Sequence, residues 1–419
     1  MHCYKSRGFG SRITSPISGF VIDFLGEIYM DDTDLIVTHP DLETPEAVVE
    51  RLSLLAEAWA SGLNSTGGTI NPDKSRWMLA SYEWLNGIWG YSQQPQVDLT
   101  IPLPDGTPAP ISNGQVTTVE KSLGVWSAID GNDSKHTEEN VTGKTAGWIN
   151  KMRNAHLPAR MGWVAYRFKL WAGIRYGIAT LAIPLAEARG VLHTENFQCL
   201  SFLGINRNAK REWRTLHRAF GGIGLFSFTV KHTIGMINML IQHYGAGSTL
   251  AQKMTTSMEA LQLEIGCIGS PFGENYDELH LLATASWTKS LWERLHYYKF
   301  CVHLDYPPLL LPGKCNALLV RLFRDAGYKG HLLQDLNRCR LYLKLLFLSD
   351  IATACGRFIN AGLVLRPDSP DKGVSAFVFP NERPSSGAWR LWLEFWTAFA
   401  GPGWSLRTPL GLWDHPTHR

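Results

Sequence analysis

Phe24-Leu25-Gly26-Glu27-Ile28-Tyr29-Met30-Asp31-Asp32-Thr33-Asp34-Leu35-Ile36-Val37 sets two apolar runs on either side of adjacent aspartates. Both flanks are rich in β-branched and aromatic residues and lack Pro, so each predicts a strand. Two strands this close in sequence fold back as a hairpin, which puts Asp31 and Asp32 at its tip. A carboxylate pair above a buried sheet is costly unless positive charge neutralises it. Its hard oxygen donors suit a divalent cation, Mg²⁺ or Mn²⁺. The stretch then reads as half of a two-metal phosphoryl-transfer site. Asp-Asp also serves ordinary turns, because Asp tolerates turn backbones and hydrogen-bonds its own amides. The flanking chain has to decide between the two.

Downstream, Thr44 predicts an N-cap, Pro45 the first helical position and Glu46 an acid at the positive end of the dipole. Val48, Leu52, Leu55, Trp59 and Leu63 fall on one face at helical spacing, and Gly67-Gly68 ends the run. Asn71-Pro72-Asp73-Lys74 then leads into a predicted strand, Trp77-Met78-Leu79. Val97, Leu99, Ile101 and Leu103 alternate with polar residues before the turn signal Pro104-Asp105-Gly106. The expected partner strand contains Ile111 or residues 116–119. Leu123-Gly124-Val125 comes next. Upstream, residues 1–22 hold no acid, and Gly8-Phe9-Gly10-Ser11 and Ser15-Pro16-Ile17-Ser18-Gly19 read as loops.

From about residue 135 strand alternation gives way to helical spacing. Residues 144–176 carry seven basic side chains, Lys144, Lys151, Arg153, Arg160, Arg167, Lys169 and Arg175, with no acid between them. Trp148, Trp163, Tyr166, Trp171 and Tyr176 are interleaved. Such a face suits a nucleic-acid backbone, with dense negative charge and bases to stack. The alternative is a helix with an aromatic core side and a solvated basic side. A second basic cluster, Arg207, Lys210, Arg211, Arg214 and Arg218, precedes Gly221-Gly222-Ile223-Gly224-Leu225. Gly245-Ala246-Gly247-Ser248-Thr249 lacks the Gly-Lys-Ser/Thr ending of a phosphate loop and reads as a helix end and turn. Trp389, Trp392 and Trp396 are helix-spaced and read as core.

Taken in order, these features resemble reverse transcriptases of the LINE-like, non-LTR retrotransposon type. Tyr29-Met30-Asp31-Asp32 is similar to their YxDD box, and residues 67–74 resemble the segment downstream of that box. Leu123-Gly124 resembles the primer grip, and the basic stretch with Gly-Gly-x-Gly-Leu resembles their thumb and connection. The resemblance is ordered over residues 8–125 and looser to about 225. It implies an RNA-directed DNA polymerase with Asp31 as principal metal ligand, Asp32 in support and Lys74 near the leaving pyrophosphate. It also implies that Tyr29 and Met30 lie close to the primer terminus. The nucleic-acid contacts would be Leu123, Gly124, Lys151, Arg153, Arg160, Arg167, Lys169 and Arg175. The partners implied are an RNA/DNA template-primer, and dNTP if the site is completed upstream.

Two-metal polymerases need a further carboxylate from an earlier palm strand. Nothing acidic precedes Asp23. The expectation is therefore a truncated element that does not polymerise DNA alone. The alternatives are a non-catalytic nucleic-acid-binding or interaction protein, or a decayed transposon remnant.

Composition bounds the rest. At 419 residues, with 45% hydrophobic and 18% charged content, the chain is expected to be globular with two or three domains. Seven Cys without a C-x-x-C argue against a disulfide framework and a zinc site and point to an intracellular, reducing home, nucleus or cytoplasm. No signal peptide or membrane-spanning run is visible, so no membrane partner is expected. The expected fold class is α+β: a partial palm over 1–130 (an antiparallel sheet with the YMDD hairpin and a packed helix), a basic thumb-like helical region over 131–250, and a mainly helical C-terminal region over 251–419.

Overall fold

The computed structural model describes residues 11–29, 32–38, 44–85, 88–95, 97–122, 125–131, 133, 135–306, 309, 315–365 and 383–410. Two compact units divide the chain. One comprises Met1–Ile13 and Ile22–Gly235, the other Thr14–Val21 and Met236–Arg419. The fold class is α+β, with the strands before residue 128 and helices dominating beyond 135.

Near the start of the chain, β1 (Ser11–Thr14) pairs with β2 (Val21–Phe24). The central hairpin is next: β3 (Gly26–Tyr29) pairs antiparallel with β4 (Asp32–Leu35), Gly26 opposite Leu35 and Tyr29 opposite Asp32. Helix α1 (Pro45–Ser65) is capped as its sequence predicts, the Thr44 hydroxyl oxygen accepting from the Ala47 N–H at 3.4 Å. Its buried face is turned from the predicted one. Val49, Leu55, Ala56 and Ala60 are buried, whereas Val48, Trp59 and Leu63 sit half-buried at the stripe's edge. The alanines are the reason, because two small side chains let the helix lie close against the sheet.

That sheet has three strands. β5 (Arg76–Trp77) runs parallel to β9 (Pro108–Asn113), which pairs antiparallel with β8 (Leu99–Pro102). Leu99 and Ile101 are about as buried as any residue in the unit and pack with Val49, Ala56, Ala60 and Trp77. Ile111 is the register partner of Leu99, as expected, while residues 116–119 contribute no paired strand apart from the buried Val116 side chain. The turn at 104–106 explains this: Leu103 N–H donates to the Thr107 carbonyl, so the chain reverses at once and pairs from 108. The predicted strand at 77–79 is only two residues long. Two further hairpins complete the strand-rich part, β6 (Tyr82–Leu85) with β7 (Ile88–Tyr91) and β10 (Glu120–Ser122) with β11 (Val125–Ser127).

The helical part of this unit packs around Tyr166, which is fully buried against Trp148, Trp171 and Phe226. Helix α8 (Phe228–His243) contains the division point between Gly235 and Met236.

The second unit is all-helical in its described core. Its longer helices are α9 (Thr249–Ile265), α10 (Trp287–Tyr298), α11 (Leu319–Asp325), α12 (Gly330–Tyr342) and α13 (Ser386–Phe399). Trp392 and Trp396 are fully buried with Phe323 and Phe395, their rings edge to face, so the Trp-rich segment is core as read from its spacing. Arg340, also fully buried, donates to the carbonyls of Leu263 and Glu264 at 2.6 and 2.9 Å and clamps α12 to the end of α9. The segment Thr14–Val21 belongs to this unit. There the Ser15 hydroxyl and the Ser18 N–H both donate to the buried Glu259 carboxylate. Among the described residues no helix is long and apolar enough to cross a membrane.

Candidate nucleic-acid interface

The basic stretch forms three consecutive helices with a widened turn. Helix α2 (Lys144–Ala155) buries Thr145, Trp148, Ile149 and Met152 at three- and four-residue spacing. The remaining positions therefore put Lys144, Lys151 and Arg153 in solvent. The chain turns at His156, whose φ is +47°, and Pro158 precedes α3 (Ala159–Ala165). A π-helical turn, Tyr166–Leu170, then joins α3 to α4 (Trp171–Ile174). Widening the helix here rotates the next turn away from a regular 3.6-residue pattern. Tyr166, Leu170 and Trp171 turn inward, while Phe168 and Lys169 turn out. Gly162 is required here: a Cβ at that position would lie 2.4 Å from the Phe202 carbonyl oxygen, so only glycine lets α3 approach that backbone.

The second basic cluster folds a compact loop with its own arginines. Arg214 donates to the carbonyls of Ala209 and Arg207, both at 2.7 Å. Arg218 Nε donates to the Ile223 carbonyl at 3.0 Å, and Trp213 Nε1 to that of Gly221 at 2.9 Å. The glycines of Gly-Gly-x-Gly are explained by this loop. A Cβ on Gly222 would stand 2.1 Å from the Leu216 carbonyl oxygen, a contact no side chain tolerates.

Trp163 joins the two basic segments. Its indole Nε1 donates to the Leu203 carbonyl at 3.1 Å, which fixes the ring. The Arg167 guanidinium lies 5.3 Å from the ring centroid and that of Arg218 lies 4.7 Å from it. Each such contact is worth about 0.5–1 kcal/mol at a partly exposed site. Two guanidiniums share one indole, and Arg218 gives its Nε hydrogen bond to a neutral carbonyl, which leaves its charge in place. Arg167 Nε is buried without a hydrogen-bond partner among the described residues. Phe168 and Phe220 are 76% and 77% exposed, large apolar rings presented to solvent beside these cations in sequence. Neither ring stands out in the sequence, since each looks like one more member of an apolar helical pattern. A guanidinium pair, an indole and exposed phenyl rings together suit phosphate contacts and base stacking.

The other expected site residues are spread over both parts of the first unit. Arg153 hydrogen-bonds Gln198 at 3.0 Å, while Arg160 and Arg175 are exposed. Tyr176 is exposed, whereas Trp148, Tyr166 and Trp171 are core, so only part of the interleaved aromatic set is available for stacking. Lys74 is exposed at the end of the short turn Pro72–Lys74, which Asn71 caps through Asp73 N–H. Tyr29 ends β3 opposite Asp32, which opens β4. Met30 and Asp31 lie outside the described residues, as do Leu123 and Gly124. Ser122 pairs with Val125. Among the described residues no cluster of three or more His, Cys, Asp or Glu is arranged to hold a metal. No protein-family model, curated protein or solved structure matches the chain.

Proposed function

We propose that the chain is a reverse-transcriptase polypeptide of retrotransposon type, an RNA-directed DNA polymerase element whose basic helical face holds the template-primer. The observation that carries the reading is the register of β3 with β4. Tyr29 lies opposite Asp32, so the first and last residues of the YxDD-like stretch pair across antiparallel strands, which supports the reading. In this reading Asp31 and Asp32 hold Mg²⁺ or Mn²⁺, which when bound neutralises charge on the phosphoryl oxygens. Lys74 lies on the pyrophosphate side, Tyr29, Met30, Leu123 and Gly124 lie along the primer, and the cations of 144–218 grip the backbone.

A second reading, nucleic-acid binding without catalysis, is favoured by the Arg167–Trp163–Arg218 cluster, whose paired positive charges suit an anion whether or not a metal is bound.

The test is Mn²⁺ binding by the full chain in the presence of an RNA–DNA template-primer, read by electron paramagnetic resonance. The expected result is that Asp31→Asn with Asp32→Asn abolishes the Mn²⁺ bound in excess of that held by the template-primer alone, while template-primer binding persists. Equal Mn²⁺ binding by both proteins would overturn the polymerase reading and leave the second.

A further inference from the structure

Away from the hairpin, helix α5 (Leu185–Gly190), helix α6 (His193–Cys199), helix α7 (Arg211–Thr215) and the start of α8 enclose a cavity of about 340 Å³. Its ionisable lining among the described residues is all basic, with Arg189, His193, Arg211 and Arg214 and no carboxylate. Thr215 and Ser227 also line it, the Thr215 hydroxyl donating to the Arg211 and Glu212 carbonyls. One wall is Phe197, 43% exposed, with the guanidiniums of Arg207 and Arg214 at 5.8 and 5.7 Å from its ring. Arg214 is held in place by its bonds to two backbone carbonyls, so its charge is positioned in advance and not neutralised by them.

We propose that this cavity binds the phosphate of a single nucleotide unit, with the base against Phe197. The volume falls at the small end of ligand pockets, which suits one nucleotide and not a polymer segment. A basic lining selects an anion, and the Arg guanidinium matches phosphate oxygens in particular. The aromatic wall adds a stacking surface for any base. The phosphorylated nucleoside has two sources, a free nucleotide or the 5′ end of a strand. This inference does not depend on the metal hairpin, so it survives if the polymerase reading fails.

The experiment is calorimetric titration of the full chain with AMP, with adenosine, and with a short oligonucleotide carrying either a 5′-phosphate or a 5′-hydroxyl. AMP is expected to bind about tenfold or more tightly than adenosine, with Arg211→Ala removing most of that difference. Arg211 is exposed, and circular dichroism checks that the variant folds. Phe197→Ser provides a second variant, expected to weaken AMP and leave inorganic phosphate binding in place. Preference for the 5′-phosphorylated oligonucleotide assigns the site to strand ends, whereas AMP binding without that preference assigns it to free nucleotide. Equal binding of AMP and adenosine, or AMP binding unchanged in Arg211→Ala, would overturn the proposal.

Discussion

Replacing Arg167 and Arg218 together by Gln tests the interface through its dependence on salt. Both guanidiniums lie on Trp163, at 5.3 and 4.7 Å, and each is expected to meet one phosphate. A phosphate contact contributes about 0.9 to the slope of log affinity against log salt on duplex and about 0.7 on single strands. Losing two contacts therefore lowers the slope by about 1.4–1.8. Between about 50 and 200 mM salt, the wild-type chain should lose about tenfold more affinity than the double variant. Fluorescence anisotropy with a labelled RNA–DNA hybrid over a salt series gives both slopes. Arg321→Gln with Arg338→Gln, on surface pairs with Asp325 and Asp335 in the other unit, is the charge-matched control. Because Arg218 also holds the Ile223 carbonyl, circular dichroism and thermal midpoints accompany the titration. An unchanged slope in a folded double variant would show that these cations meet no phosphate, and the interface would have to lie elsewhere.

Two further predictions concern the packing behind that face. Tyr166→Phe keeps the buried ring but leaves the Phe226 N–H, now 3.2 Å from the phenol oxygen, without its acceptor; urea denaturation should show a loss of about 1–3 kcal/mol with an unchanged m-value. The His136 Nδ1 accepts the Trp126 N–H at 3.1 Å, and burial, with the Lys144 charge added, holds the imidazole below its ordinary value of 6.5. The unfolded chain thus takes up this proton first as pH falls below 6.5, so this contribution weakens stability on acidification and is absent above that pH. His136→Gln should flatten the dependence between pH 6.5 and acid, and an identical profile in the variant would refute the assignment.

Much of the local structure is legible in the sequence. Thr44 and the glycines at 67–68 bracket α1 because capping is a local interaction, and the strands around the Asp-Asp pair arise from their β-rich flanks and short separation. The buried face of α1 is not legible, since alanines at 56 and 60 carry little hydrophobic signal yet decide how closely the helix meets β8. Tyr166 and Trp171 look like stacking platforms until the π-helical turn is known, and a single-turn widening leaves no compositional trace; Trp148 is instead buried on the regular face of α2. Arg214 and Arg218 read as a generic basic cluster. Their work in folding the 207–225 loop depends on backbone carbonyls, which sequence does not display.

The hold of Ser15 and Ser18 on Glu259 has a consequence for how the chain is made and how it can be cut. The C-terminal unit borrows eight residues, Thr14–Val21, from near the beginning of the chain. During synthesis that segment must wait more than two hundred residues for its carboxylate, since Ser15 and Glu259 are 244 positions apart. A fragment beginning at Met236 would lack the segment and carry a buried Glu259 stripped of two donors. Apparent domain boundaries in the middle of this sequence are therefore poor places to divide it, and a tethered or co-expressed 14–21 peptide is what the isolated C-terminal unit would need.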